Sequence, residues 1–215
     1  MASPIEWVIN KISEGTDLVL LDRPAADLIV VRATGDQHGT VLAGVIGVRT
    51  EITATHVQPL FASSPPPAFI VNIPTATPWR GDAIHLIHTS DAAFGSLGDL
   101  ARAAHLEFPG SYRERETDFF HTAIRDHTNV SGVTMTYDKV FRVERHRGDP
   151  LTIAMVNAYH ISAEDVRNAR ARYGEFDIAV KVNGHGSVTT AAEQAAATFG
   201  AQALTFGEMM SRLHH

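Results

Sequence analysis

The second half of this 215-residue chain aligns with the first half when it is shifted by 109 positions. The segment ITATHV, Ile52 to Val57, falls on ISAEDV, Ile161 to Val166, and no gap is needed from position 52 to position 101. Nine of those 50 positions are identical. The order and length of the predicted elements also agree, which favours an internal duplication of one small unit. The alternative is a single compact α/β domain whose two halves align by chance.

The first half is typical of an α/β unit that begins with an amphipathic helix from Pro4 to Ile12. Three strands are predicted next, at 17–22, 27–32 and 40–49, and their short polar connections indicate an antiparallel meander. Helices and strands then alternate, with helices at 53–61, 78–89 and 97–106 and strands at 68–73 and 92–94. The caps Thr53 and Thr77-Pro78 mark two of the helix starts.

The pattern restarts after a polar segment with Pro109-Gly110, which we interpret as a linker. The predicted division is a first repeat at 1–107, a linker at 108–116 and a second repeat at 117–215. The second repeat has predicted helices at 117–126, 189–199 and 207–213, a further helix that begins after the cap Ser162, and strands at 133–143, 151–159, 176–182 and 201–205. The polar turn 144–150 joins the first two strands. We expect an approximate two-fold axis between the repeats, as in a covalently joined C2 dimer.

Composition excludes several classes of function. The absence of cysteine rules out thiolate metal sites, disulfides and cysteine nucleophiles. No apolar run approaches the ~20 residues of a membrane span, and no signal peptide is visible, so a cytoplasmic protein is predicted. The formal net charge is -6, and the basic residues are concentrated after Glu107. A nucleic-acid contact would therefore be local, in the second half. No role is predicted for His214 and His215.

The tail of the chain is its most specific part. A buried strand, FDIAVKV, is followed by VTTAAEQAA and then by GAQALTFGEMMSRL. This order resembles the end of Mrr-type nucleases of the restriction endonuclease-like, or PD-(D/E)XK, superfamily. The resemblance implies two tandem αβββαβ units, a DNA or RNA partner and, for an active nuclease, a Mg²⁺ or Mn²⁺ ion.

The superfamily signature is an Asp on one strand and a Glu or Gln, any residue, then Lys on the next. Asp138 matches the first Asp, and the next strand offers Asn157-Ala158-Tyr159. The first repeat has Asp27 and Val48-Arg49-Thr50, so it is degenerate. Asp138 and Asn157 are the candidate metal ligands, and Lys181 could supply the missing cation. The incomplete signature favours a binding or regulatory subunit that does not cleave. The alternative is a divergent metal-dependent nuclease that uses Asp138, Asn157 and Lys181.

Two further features are candidate phosphate contacts. Arg142, Arg145 and Arg147 cluster in FRVERHRGD and could hold nucleic-acid phosphates. The turn Asn183-Gly184-His185-Gly186-Ser187 precedes a helix, where Gly184, Gly186 and Ser187 could cradle an anion. A solvated hairpin and a tight turn that needs glycine are the simpler alternatives. A Rossmann-like sensor of a nucleotide or other small anion, and a scaffold protein without a site, therefore remain open as functions.

Overall fold

The computed structural model describes residues 3–35, 39–182 and 184–214. The chain divides into two compact units, Met1–Glu114 and Arg115–His215, which we call unit 1 and unit 2. Each unit contains one five-stranded mixed sheet with helices packed against it. The protein is therefore an α/β protein, as the sequence predicts.

Unit 1 begins with a helix, continues with an antiparallel meander and ends with alternating helices and strands. Its elements are α1 (Pro4–Gly15), β1 (Leu18–Ala25), β2 (Leu28–Ala33), β3 (Val41–Ile46), α2 (Ala54–Val57), β4 (Phe69–Asn72), α3 (Gly81–Thr89), β5 (Ala93–Gly95) and α4 (Leu97–Ala103). The strand order is β1-β2-β3-β4-β5, with antiparallel pairing up to β3 and parallel pairing beyond it. Parallel pairing requires the crossovers that α2 and α3 supply.

Unit 2 has the same sequence of elements and the same sheet order. Its elements are α5 (Arg115–Arg125), β6 (Val130–Tyr137), β7 (Val140–Arg145), β8 (Leu151–Val156), α6 (Ala163–Tyr173), β9 (Ile178–Lys181), α7 (Thr190–Ala197), β10 (Gln202–Thr205) and α8 (Phe206–Arg212). The strands follow the order β6-β7-β8-β9-β10, antiparallel up to β8 and parallel from there. Both units thus contain the αβββαβ order that the resemblance implies.

Two predicted elements are wrong in detail. The single strand predicted at 133–143 is a hairpin, in which β6 and β7 turn at Asp138 and Lys139 and Tyr137 pairs with Val140. The turn contains neither glycine nor proline, and the only sign of it in the sequence is the charged pair Asp138-Lys139 between two alternating segments. The helix predicted from Pro78 begins instead at Gly81, because Trp79 forms a bridge with Ile52.

Several details of the two units correspond. The isolated bridges Ile52–Trp79 and Ile161–Val188 lie 109 positions apart. The capping boxes at the start of α4 and α8 have the same separation. The first hairpins pair Leu18 with Ala33 in unit 1 and Val130 with Arg145 in unit 2, a separation of 112. The halves are therefore similar, while the duplication and its two-fold axis stay predictions.

The sheet of unit 2 is covered on both faces, and strand alternation assigns each side chain to one of them. One face packs against α5 and α8, and its core contains Phe120, Phe141, Ile153, Val180 and Met209. The other packs against α6 and α7, and its core contains Val140, Ala154, Val166, Ala179 and Ala196. We call them the α5 face and the α6 face.

The segment predicted as a linker packs against unit 1. Residues Pro109–Ser111 form a short 3₁₀ helix, and a Cβ atom at Gly110 would collide with the backbone carbonyl of Asp91. The Tyr112 hydroxyl donates a hydrogen bond of 2.6 Å to Asp99 Oδ1 at the start of α4. These contacts hold the segment to the body of unit 1 up to the point where α5 begins at Arg115.

Candidate functional site

The carboxyl ends of the parallel strands in unit 2 carry the predicted catalytic residues. Lys181 is the last residue of β9 and pairs with Val156, the last residue of β8. Asn157 follows directly, and Asp138 lies in the turn before β7. Ligands in α/β proteins commonly bind at this end of a sheet. This edge of the unit 2 sheet is therefore the first candidate site.

Asn157 lies on the α5 face. Its side chain is exposed, and Nδ2 donates a hydrogen bond of 2.8 Å to Oε2 of Glu116 in the first turn of α5. One residue along that helix, the Thr117 hydroxyl accepts a 2.6 Å hydrogen bond from Lys139 Nζ. The start of α5 is thus joined to the strand ends by polar side chains.

Lys181 lies on the other side of the sheet, and Asp138 in the β6–β7 turn is near enough to α6 to influence Tyr173. Burial raises the pKa of Tyr173 on α6, and the nearby negative charge of Asp138 raises it further. Lys181 alternates with Val180 and so belongs to the α6 face; it is only 2% exposed. Its ammonium donates a hydrogen bond to the carbonyl of His185 in the following turn.

Lys181 and Asn157 therefore lie on opposite faces of the sheet, and Asp138 lies in the β6–β7 turn between strands. Among the residues that the structure describes, no group of three or more His, Asp or Glu side chains could hold a metal ion. A metal site formed by Asp138 and Asn157 stays a prediction.

The same edge of unit 1 is closed by uncharged groups. Asn72 stands 109 positions before Lys181 and is also 2% exposed. Its Oδ1 accepts from the amide of Val48 at 2.9 Å, and its Nδ2 donates to the carbonyls of Val48 and Pro74. Beside it, Gly47 packs so closely against Pro4 that a Cβ atom would collide with the proline ring. In the described part of unit 1, the polar atoms of Asn72 are thus hydrogen-bonded to the backbone of that unit, and Gly47 is in close contact with Pro4.

The structure also corrects the predicted match between Asp27 and Asp138. The carbonyl of Asp27 accepts a hydrogen bond of 2.8 Å from the amide of Val45 in β3. In unit 2 the carbonyl that does this is that of Lys139, which accepts from Met155 in β8 at 2.8 Å. Asp27 therefore corresponds to Lys139. The two hairpin turns do not carry a carboxylate at matching positions.

The glycine-rich turn after β9 is explained largely by packing; its first residue, Asn183, lies outside the described residues. Gly186 has φ +81, and a Cβ atom there would collide with the backbone carbonyl of Tyr159. The Ser187 hydroxyl is 3.0 Å from Nδ1 of His160, and its amide donates to the same nitrogen. Gly184 alone has open space around it. Anion binding by Gly184, Gly186 and Ser187 stays a prediction.

The three predicted phosphate-binding arginines have different roles in the structure. Arg142 is exposed on β7 and pairs with Glu144 at 2.8 Å. Arg145 donates to the carbonyls of Asp149 and Arg212, which ties the β7–β8 hairpin to the end of α8. The side chain of Arg147 lines a cleft. Only Arg147 is thus placed to contact a ligand in a concave site.

This cleft lies at the opposite end of the unit 2 sheet from Lys181. It has a volume of about 290 Å³ and is lined by Thr128, Asn129, His146, Arg147 and His214. Asn129 holds its walls together, since its Nδ2 donates to the carbonyls of Arg147 and Leu213 and its Oδ1 accepts from the Arg147 amide. We call it the hairpin cleft.

A histidine pair stands beside the hairpin cleft. His127 Nε2 and His214 Nε2 are 3.2 Å apart, and the His127 Nδ1 accepts from the amide of Asn129. Burial, followed by the proximity of His214, lowers the pKa of His127. Residues 127 and 214 are distant in the chain, so no local pattern could have indicated this pair; sequence reasoning missed it and the cleft.

Comparison with known proteins identifies no relative. No protein-family model matches the chain, no curated protein matches it, and no solved structure matches its fold. Within the described part of the chain, no helix is both long enough and apolar enough to cross a membrane.

Proposed function

We propose that this protein binds nucleic acid without cleaving it, on a scaffold of restriction endonuclease-like descent, and that unit 2 carries the binding surface. The order αβββαβ in both units supports the proposed descent. The position of Lys181 and Asn157 on opposite faces of the sheet supports the absence of cleavage, because a metal-dependent nuclease needs its catalytic groups at one position.

The observation that carries the proposal is the concentration of positive groups around the hairpin cleft. Unit 1 has 12 acidic and 7 basic residues, whereas unit 2 has 12 acidic and 11 basic. In unit 2, two arginines and three histidines come together at one end of the sheet: Arg145, Arg147, His127, His146 and His214. At pH 7 the two arginines supply the positive charge. Local positive charge of this kind attracts phosphates even on a protein with a negative net charge.

The nearby carboxylates reduce this charge only in part. The Asp126 carboxylate is paired with Arg125 at 3.2 Å. Glu144 is paired with Arg142 on β7, and Asp149 is exposed on the hairpin. Arg147 and His146 are therefore the residues with which unit 2 would make its main contacts to a phosphate backbone.

Fluorescence anisotropy of labelled single- and double-stranded DNA and RNA tests this function. We expect binding by the wild-type protein that weakens steeply as salt rises, because cation release accompanies phosphate contacts. Arg147→Ala should weaken binding, while Arg167→Ala, which removes the same charge from the exposed surface of α6, should not. No cleavage should appear with Mg²⁺ or Mn²⁺.

Three outcomes would contradict parts of the proposal. Absence of binding to all four nucleic acids at low salt would remove the function itself. Metal-dependent cleavage that is lost in Asp138→Ala would replace it with the divergent nuclease. An equal loss of binding in Arg147→Ala and Arg167→Ala would show a diffuse charge effect in place of the hairpin cleft.

The small volume of the cleft favours a second candidate, the sensor of a nucleotide or other small anion. A site of about 290 Å³ is at the lower limit of small-molecule pockets. A nucleotide that raises the melting temperature in a concentration-dependent manner would support it. Unchanged melting across a broad nucleotide panel would exclude this candidate.

A further inference from the structure

The hairpin cleft is lined by residues whose side chains can donate hydrogen bonds, and several backbone acceptors around it are engaged. The carbonyl oxygens around it are already engaged: those of Arg147 and Leu213 accept from Asn129, and that of Asn129 accepts from the amide of His146 at 2.9 Å. The carbonyls of Asp149 and Arg212 accept from Arg145. These five carbonyl oxygens, which would repel an anion, are thus engaged in hydrogen bonds within unit 2.

The remaining groups match one particular kind of anion. Four exposed residues with polar side chains line the same cleft: Thr128, His146, Arg147 and His214. An arginine fork and imidazole N–H groups make short charge-assisted bonds to phosphate oxygens. A terminal phosphate offers three free oxygens and close to two negative charges, whereas an internal diester offers fewer oxygens and one charge.

The shape of the site leads to the same ligand. A cleft of about 290 Å³ can enclose one small group but cannot follow a polymer backbone. Its walls come from the segment after α5, the β7–β8 hairpin and the end of α8, and Asn129 joins all three. The site is therefore organised before any ligand arrives, which lowers the entropy cost of binding.

We propose that the hairpin cleft binds a terminal phosphate monoester, carried either by the end of a nucleic-acid strand or by a free nucleotide. Arg147 and His146 bind the phosphate oxygens, and His214 and Thr128 complete the set of donors. This inference rests on the proposed function, because it names the part of the nucleic acid that unit 2 would hold. Asn129 is a positioning residue and does not contact the ligand.

The experiment compares two oligonucleotides of one sequence, with a 5′-phosphate or a 5′-hydroxyl, each labelled at the 3′ end. Anisotropy titrations with the full chain should show about tenfold tighter binding of the phosphorylated strand, the effect of one to two charge-assisted bonds. Arg147→Ala and His146→Gln should each reduce this preference, while Arg167→Ala should keep it. Far-UV circular dichroism and melting establish that each variant is folded.

The outcomes separate this inference from the proposed function. Equal affinity for the two strands would overturn the inference and leave nucleic-acid binding in place. If neither strand binds, the proposed function fails, and calorimetric titration with inorganic phosphate and with adenosine monophosphate decides the inference. Heat of binding that Arg147→Ala abolishes would assign the site to free phosphate monoesters, and no heat would overturn it.

Discussion

The carboxyl-terminal edges of the two sheets differ at one buried position, where unit 1 has Asn72 and unit 2 has Lys181. Asn72 satisfies its own amide and the backbone of Val48 and Pro74. Lys181 brings a charged group into the same place and holds the turn after β9 through the carbonyl of His185. Two units with one fold have thus stabilised this edge by different means.

The difference shows that a fold can keep its architecture while the residues at a potential site change entirely. Side chains at strand ends are little constrained by the sheet, because the backbone hydrogen bonds do not depend on them. Unit 1 has a closed edge, and unit 2 has a polar edge and a basic cleft at the other end. Comparison of matched positions can therefore separate structural roles from binding roles.

The largest expected effect is at Gly186, whose counterpart in unit 1 is Thr77. Gly186→Ala should lower the free energy of unfolding of unit 2 by about 3 kcal/mol, since it combines an unfavourable positive φ with a clash against the Tyr159 carbonyl. Gly184→Ala is the matched control, with an expected change of about 0.5 kcal/mol or less because space is open there. Urea denaturation followed by circular dichroism measures both, and equal effects would contradict the packing explanation.

The next effect is expected at Asn72. Asn72→Ala leaves the amide and carbonyl of Val48 and the carbonyl of Pro74 without these partners, at a cost of about 2–3 kcal/mol to unit 1. Both tryptophans, Trp7 and Trp79, belong to unit 1, so tryptophan fluorescence during urea denaturation reports on that unit.

Asn168→Ala on the exposed surface of α6 provides the control for this variant. It should leave the tryptophan transition unchanged. If Asn72→Ala also left the transition unchanged, the buried hydrogen bonds of Asn72 would not be what closes the edge of unit 1.

A smaller difference is expected between the matched capping residues Asp99 and Glu208. Burial alone would raise the pKa of Asp99, but hydrogen bonds from Ser96 and Tyr112 outweigh it and the pKa is lowered. Asp99→Asn should cost unit 1 about 1–2 kcal/mol, because Tyr112 and Arg102 also donate to this carboxylate. Glu208→Gln should cost unit 2 about 0.5–1 kcal/mol, since it acts in its capping box alone.

The pH dependence of this contribution provides a second measurement. Because the folded pKa of Asp99 is lowered, its contribution is present above the unfolded pKa near 3.8 and is lost as pH falls through the folded pKa. Wild-type and Asp99→Asn proteins should therefore converge in stability in acid. A difference between them that stays constant down to low pH would contradict this explanation.

The smallest effect is expected from the histidines of unit 2. Burial, followed by the charge of Arg125, lowers the pKa of His121, and burial followed by His214 lowers that of His127. The unfolded chain then binds protons more readily, so stability is present above pH 6.5 and falls as pH decreases from there towards the folded pKa values. Urea midpoints at about pH 7.5 and about pH 5.5 measure the effect.

His127→Gln should reduce this pH dependence. His105→Gln in unit 1 changes an exposed histidine for which no such effect is expected on unit 2. An identical pH dependence in the wild type and in His127→Gln would show that the histidine pair has no part in it.

The interpretation of the sequence succeeded where signals are local. The caps at Ser162 and Thr189 start α6 and α7 within one residue of the predicted positions. The hairpin turn at Asp138-Lys139 contains neither glycine nor proline, so the sequence pattern predicts one strand where the structure has two. The predicted match of Asp138 with Asp27 depends on that single strand and is therefore wrong.

The candidate site could be predicted only in part. The sequence singles out Arg147 because it lies in a dense run of arginines, and the structure places it in the lining of the hairpin cleft. Arg142 and Arg145 could not be separated from it by sequence, since their partners Glu144, Asp149 and Arg212 are chosen by the strand faces and by packing of α8. Whether these arginines bind nucleic acid stays a prediction.

By itself the sequence determined the α/β class, the order of the elements, the similarity of the halves and the absence of thiol chemistry, because periodicity, caps and composition act over short stretches of chain. The tertiary structure decided the rest. It set the opposite faces on which Asn157 and Lys181 lie, and it formed the hairpin cleft from residues up to 86 positions apart. Such contacts depend on how helices pack onto the sheet, which no local pattern in the chain encodes.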